Sequence, residues 1–250
     1  MKLKKIYVSA SSNIGLLRHN NEDMILVRNK YIRNETYKAE IDMETCDRFV
    51  VAVADGMGGY NAGEVASQEV LTSLHFFIGD LPMKLTSQHF METLIEWLNS
   101  INATINTKGQ LHPETRNMGT TLVGIVVYEH KFFWINCGDS RLYRLRCGKL
   151  TQITTDHSLS NLLGETKHSN VVTNCIGAGC NSSFLDILDF TSDIQHGDTY
   201  MLCSDGMSDM VDDTSIEQLL GIDCNADQLI HAALDAGGYD NISVCIMKIV

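Results

Sequence analysis

The sequence predicts an α+β fold in which antiparallel β-sheets are covered by helices. Three observations carry this. Short runs rich in Val, Ile, Thr and aromatic residues recur along the chain, bounded by turn residues. Most of them follow one another directly, which is not the strand–helix alternation of a parallel sheet. Two amphipathic helical segments fall side by side between the early and the middle strands.

In chain order, "KIYVSAS" (5–11) and "RFVVAVAD" (48–55) read as the first strands. A glycine-rich loop then leads into a helix over 62–78, with Val65, Ala66, Val70, Leu71, Leu74, Phe77 and Ile78 on one face. A second helix over 87–105 places Phe90, Met91, Leu94, Ile95, Leu98, Ile101 and Ile105 together. "TTLVGIVVY" (120–128), "KFFWINCG" (131–138) and "SRLYRLRC" (140–147) follow as strands, with "EHK" at 129–131 and "CGK" at 147–149 as tight hairpin turns. "FLDILDF" (184–190) and "TYMLCSD" (199–205) are further strands. Helical patterns over 214–220 and 226–236 precede the strand "ISVCIMKIV" (242–250). With two prolines and no low-complexity stretch there is no linker, so 1–250 reads as one domain.

Charge and cysteine usage narrow the function classes. Nineteen basic against 31 acidic residues give a net charge of −12. That excludes nucleic acid or an anionic membrane as the main partner and suits a protein that holds cations. The 8 cysteines show no CxxC pair and no zinc-type spacing. Several lie inside apolar runs, where cysteine acts as a small core residue, and a reduced cytoplasmic setting is expected. "MKLKKIYVSASS" is too short in apolar residues for a signal peptide, and no run reaches the roughly 18 needed for a membrane span.

The candidate site begins at "VVAVADGMGGYNAGEVAS" (50–67), where an apolar strand ends in Asp55-Gly56. A dinucleotide fingerprint would need glycine at 61, which is Asn, and no suitably placed GK[ST] marks a phosphate loop. "TYMLCSDGMSD" (199–209) repeats the device with Asp205-Gly206. One strand-end Asp-Gly is ordinarily a turn, with glycine allowing a sharp bend. Two in matching context read either as turns or as two corners of one metal site. Further acids stand at element boundaries: Glu22-Asp23 before "MILV", Asp139 after "FFWINCG", Asp240 before the last strand. Carboxylate and carbonyl oxygens suit Mg²⁺ or Mn²⁺ rather than zinc. Such acids would repel one another in a cleft unless cations lay between them.

"RHNNED" (18–23), "ADGMGGYNAGEVAS" (54–67), "MGTTLVGIVV" (118–127), "NCGDSRLYRL" (136–145), "TTDHS" (154–158), "GDTYMLCSDGMSD" (197–209) and "GGYDNISV" (237–244) come in the order of the metal-dependent serine/threonine protein phosphatases of type 2C, the PPM family, and look most like its bacterial branch. The resemblance spans nearly the whole chain. It implies a four-layer α/β/β/α sandwich with the metals at one edge. Two Mn²⁺ or Mg²⁺ ions are implied, bridged by Asp55. The Gly56 carbonyl, Asp205 and Asp240 complete one site. Glu22 holds the second ion, and Asp23 orders its water. Arg18 matches the arginine that grips substrate phosphate, and Asp139, Asp205 and Asp209 match a third, weaker metal site.

The implied reaction is hydrolysis of phosphoserine or phosphothreonine in a protein by hydroxide held between the two ions. The chain would act as a cytoplasmic monomer, reversing a partner kinase. A pseudophosphatase or regulatory binding module of the same fold is the alternative reading, and a Mg²⁺-dependent nuclease or nucleotide hydrolase is a second. Two departures stand out. Met57 occupies the place where some members have histidine, so the leaving-group proton is expected from metal-associated water. His157 reads as structural. The flap, about 159–179, is shorter than the family pattern.

Overall fold

A computed structural model describes residues 3–58, 62–164 and 171–250. The chain opens with β1 (Lys5–Asn13), β2 (Met24–Val27), β3 (Lys30–Ile32), β4 (Thr36–Asp42), β5 (Arg48–Ala54) and the short β6 (Gly56–Met57). Two long helices follow, α1 (Ala62–Asp80) and α2 (Ser87–Leu111). Then come β7 (Gly119–Thr120), β8 (Leu122–Tyr128), β9 (Lys131–Cys137), β10 (Arg141–Arg146), β11 (Lys149–Gln152) and α3 (Leu159–Leu163). The remainder is β12 (Ile176–Gly177), β13 (Asp186–Asp189), β14 (Thr199–Cys203), α4 (Asp205–Ser208), α5 (Asp213–Gly221), α6 (Ala226–Asp235) and β15 (Ile242–Ile249).

Two six-stranded antiparallel sheets carry the fold, ordered β11-β10-β14-β15-β1-β4 and β13-β9-β8-β5-β2-β3. Their central strands are apolar on both faces because both faces are covered. Along β5, Val51 and Val53 point between the sheets, whereas Val50, Ala52 and Ala54 pack under α1 and α2. On β15, Cys245, Met247 and Ile249 face the other sheet, and Val244 and Ile246 face α5 and α6. The result is a four-layer α/β/β/α sandwich with three stacked apolar layers. Cys137, Cys203 and Cys245 are buried within it as free thiols.

The hairpin turns form where expected. Glu129-His130 and Cys147-Gly148 each take positive φ at both central residues, the type I′ geometry that follows the twist of the flanking strands. Sequence patterning misses β2, β3, β4 and β11. These are short, or sit at or next to a sheet edge, and β4 carries Lys38, Glu40 and Asp42 on an edge where alternating charge hides its β character. Val65 and Ile95, expected on buried faces, are exposed. The α1 stripe runs instead through Ala62, Ala66, Val70 and Leu74, and in α2 Trp97 joins Phe90, Leu94, Leu98 and Ile101.

Register gathers the site before any side chain is considered. Met24 pairs with Ala54, Val53 with Val123 and Leu122 with Cys137, so the start of β2 and the ends of β5 and β9 share one edge. In the other sheet Cys203 pairs with Val244 and Asn13 with Ile242, which brings the end of β14, the start of β15 and the end of β1 together. Away from that edge, α2 is anchored by Phe90, fully buried with ring centroids 4.8 Å from Tyr128 and 4.3 Å from Phe133. Phe90→Ala should cost about 3–5 kcal/mol in denaturant unfolding, the usual range for emptying an aromatic site.

Candidate metal centre

Each acid singled out in the sequence lies at this shared edge. Asp55 follows β5, Asp139 follows β9, and Asp205 follows β14 as the first residue of α4. Glu22 and Asp23 precede β2, and Asp240 precedes β15. Asp209 closes α4. Arg18 lies in the loop after β1 and is exposed, with Nη2 donating to Asp240 Oδ2 at 2.6 Å.

The glycines after Asp55 and Asp205 serve a different purpose from the sharp bend expected. Neither has positive φ. Each is a place where another backbone crosses: a Cβ on Gly56 would stand 2.4 Å from the Glu22 carbonyl oxygen and 2.3 Å from that of Gly63. A Cβ on Gly206 would stand 2.0 Å from the Asn241 carbonyl oxygen. Side-chain-free contact therefore brings Glu22 beside Asp55 and Asp240 beside Asp205. It is the packing of two strand ends that demands glycine.

Hydroxyl and amide groups hold the acidic turns. The Thr120 hydroxyl and the Thr121 N–H both donate to the Asp55 carbonyl, at 2.8 and 2.9 Å, and Thr121 Oγ1 accepts from the Asp55 N–H. Thr121 Oγ1 also bonds Ser140 Oγ at 2.7 Å, tying the Asp55 turn to the one bearing Asp139. Ser204 Oγ donates to Asp23 Oδ2 at 2.8 Å and accepts from the Ser243 N–H. Asn241 Oδ1 accepts from the Glu22 N–H, while its amide donates to the Ile14 and Asn20 carbonyls. Arg33 donates to the Asp23 and Glu64 carbonyls and pairs with the Glu64 carboxylate at 2.8 Å. Sequence reasoning missed the roles of Thr120, Thr121, Ser204, Asn241 and Arg33. The available signal was hydroxyl or amide residues beside the acids in "GTT", "CSD" and "DNIS".

Burial and mutual repulsion act on the cluster together. Asp23 is buried and pushed up to about 7 by desolvation, with Asp205 and Asp240 adding repulsion and the Ser204 hydroxyl opposing it. Desolvation lifts Asp139 to about 7 as well, with Asp205 next in effect. Asp205 rises to about 6 through burial and then Asp240. Asp55, hydrogen-bonded to Asp205, is raised by burial and by Asp23, Asp205 and Asp139. Glu22 is raised by burial, against a Gly63 backbone hydrogen bond and the Arg18 charge. One further oxygen is conspicuous: Asp23 Oδ1 is buried without a hydrogen-bond partner among the described residues.

His157 is structural, as the sequence suggests. Its Nδ1 accepts from the Gly138 N–H at 3.0 Å and from the Asn174 amide at 2.8 Å. Nε2 therefore carries the proton and donates to Asp186 Oδ2 at 2.9 Å. The ring lies 4.6 Å from that of Phe184, fixing the 174–186 segment onto the turn before Asp139. Of the flap expected about 159–179, residues 165–170 lie outside the described residues, as do 59–61 of the glycine loop.

Comparison with known proteins gives a consistent result. The family model described as protein phosphatase 2C matches residues 40–224. The chain is 32% identical to the serine/threonine protein phosphatase PstP of Mycobacterium tuberculosis over 97% of its own length, though it spans only 45% of that relative. It is 30% identical to the serine/threonine phosphatase Stp of Listeria monocytogenes, over 94% of this chain and 92% of the relative. The PstP catalytic domain solved with two manganese ions superposes with a TM-score of 0.76 at 32% identity, covering 98% of this chain and 99% of that one. A Streptococcus agalactiae serine/threonine phosphatase gives 0.80 at 26% identity, covering 98% and 100%.

The raised carboxyls set a signed expectation for the metal-free protein. An acid whose folded pKa lies above its unfolded value withdraws stability as pH rises through the folded pKa, so stability should climb as pH falls from about 7 toward about 4. Asp55→Asn, which removes one of the repelling charges, should raise the melting temperature in EDTA near pH 8 by several degrees. That gain should shrink as pH is lowered, as thermal melts of both proteins across the range will show.

Proposed function

The chain belongs to the protein phosphatase 2C family, and from that premise we propose that it hydrolyses phosphoserine and phosphothreonine in proteins with two Mn²⁺ or Mg²⁺ ions at the acidic edge of the sandwich. The observation that carries this reading is the convergence of Asp23, Asp139 and Asp205 on Asp55, each of whose charges opposes its ionisation, with the exposed guanidinium of Arg18 paired to Asp240 of the same edge.

The residues fit hard divalent cations. The donors are oxygens, and the orphaned Asp23 Oδ1 is a buried acceptor that an ion's water would satisfy. Among the described residues no three His, Cys, Asp or Glu side chains close on one point by themselves. An all-oxygen donor set suits Mg²⁺ or Mn²⁺ rather than a zinc cage of Cys and His. In this reading Asp55 is shared by both ions. The Gly56 carbonyl, Asp205 and Asp240 serve one, and Glu22 with Asp23 serves the other. Asp139, Asp205 and Asp209 offer a third, weaker site. Bound cations would neutralise these acids, polarise the phosphoryl oxygens and acidify water.

The protein's own groups do the rest. Among the described residues Arg18 bonds only Asp240, so its remaining N–H groups can receive two phosphate oxygens in plane. Thr120, Thr121, Ser204 and Asn241 keep the acids from splaying apart under their own repulsion. His157 does not protonate the leaving group, because both ring nitrogens are committed to Gly138, Asn174 and Asp186. Met57 offers no proton either. The substrate is taken to be a protein phosphorylated by a partner Ser/Thr kinase, met in the cytoplasm by a monomer whose residues 1–250 form one catalytic domain. No helix among the described residues is long and apolar enough to cross a membrane.

Manganese-dependent hydrolysis of p-nitrophenyl phosphate and of phosphothreonine peptides tests the reading. Asp55→Asn and Asp205→Asn should each lower kcat by several orders of magnitude. No wild-type activity above an Asp55→Ala control would leave a binding module in place of an enzyme. Arg18→Ala should chiefly raise KM for phosphorylated substrate, since it removes ground-state phosphate binding; an unchanged KM would count against its assigned role.

A further inference from the structure

The acidic edge is flanked on one side by large apolar side chains. Leu16 and Leu17, just before Arg18, are 64% and 63% exposed, and Tyr239, just before Asp240, is 59% exposed. A single exposed leucine on a protein surface needs no explanation. Here Leu17 and Tyr239 are the chain neighbours of Arg18 and Asp240, the two members of an ion pair where substrate phosphate would be received.

Leu16 and Tyr239 are seated in place by the backbone. The Leu16 N–H donates to the Gly238 carbonyl at 2.8 Å, which joins the loop after β1 to the loop before β15. Gly15, at φ +80°, lies against the Asp240 carbonyl, 2.1 Å from where a Cβ would stand. Leu16 rests on Gly238 and the Tyr239 ring on Gly237: added Cβ atoms would come within 3.1 Å of Leu16 Cγ and 2.8 Å of the ring. Both glycines have positive φ, so the same two positions turn the chain and make room for the apolar side chains.

We propose that Leu16, Leu17 and Tyr239 form an apolar subsite for the residues flanking the phosphorylated side chain, so that the enzyme selects phosphoserine or phosphothreonine beside bulky aliphatic neighbours. The inference rests on the phosphatase reading and deepens it. With phosphate on Arg18, the substrate backbone runs within a residue or two of these side chains, since an extended chain advances about 3.3 Å per residue. Acidic flanks would meet Asp240, Glu22 and Glu64, whereas an aliphatic flank would bury apolar surface against the two leucines and the tyrosine ring.

The test compares two phosphothreonine peptides identical except at the flanking residues, Leu and Val in one and Ser and Gly in the other, with p-nitrophenyl phosphate as a substrate that has no flanks. The wild-type protein should favour the apolar-flanked peptide in kcat/KM by about tenfold, the low end of what one methylene is worth in an enclosed apolar pocket, as fits an open subsite. In a Leu17→Ser, Tyr239→Ser double variant the ratio between the peptides should fall to about one, while Tyr239→Phe, which keeps the ring, should preserve it. A wild-type ratio near one, or a preference that survives the double variant, overturns the subsite while p-nitrophenyl phosphate turnover keeps the phosphatase reading intact. Absence of manganese-dependent turnover on all three substrates overturns both.

Discussion

Repulsion among carboxylates crowded into a poorly solvated edge is the constraint on which the rest of the site depends. Asp23, Asp55, Asp139 and Asp205 are all held where ionisation is disfavoured. Left to themselves, such groups would swing into solvent or take up protons. They remain because each turn is tied at its backbone, through Thr120 and Thr121 at Asp55, Asn241 and Ser67 at Glu22, and Arg33 at Asp23. The sandwich beneath offsets the strain, with apolar layers between the sheets and under both helix pairs. The site is an anion cluster stabilised from behind, which is what a cation-binding edge requires.

What the sequence revealed and what it concealed follow from the same physics. Central strands such as β5, β8, β14 and β15 were legible because burial on both faces makes them continuous apolar runs. The edge strand β4 was not, since its outward residues carry charge. The acids could be read because the Asp-Gly pair recurs at the ends of two apolar strands, with further acids at other element boundaries. Why those glycines are there could not be read: the carbonyls of Glu22 and Asn241 that exclude a Cβ come from distant parts of the chain. Arg33 was invisible for the same reason, as its partners Asp23, Glu64 and Ser67 meet it only in three dimensions.

His157 shows how a residue can matter at this edge without taking part in chemistry. By accepting from the Gly138 N–H and donating to Asp186, it fastens the segment around 174–186 to the turn that carries Asp139. Asp139 is therefore mechanically linked to that segment through the turn it shares with Gly138. Asp55 and Asp23 are instead fixed by Thr120, Thr121 and Ser204, which belong to the sandwich.

The position of β15 in its sheet has a consequence for the newborn chain. It is the last strand of the sequence, yet it lies between β14 and β1 and pairs with both, and Asp240 stands at its start. While residues beyond 240 remain in the ribosomal tunnel, β1 and β14 lack the neighbour that joins them, and the acids of the two sheets have no common edge to share. The emerging polypeptide thus passes through the synthesis of every earlier strand without an assembled acidic edge and acquires one only when β15 has left the tunnel.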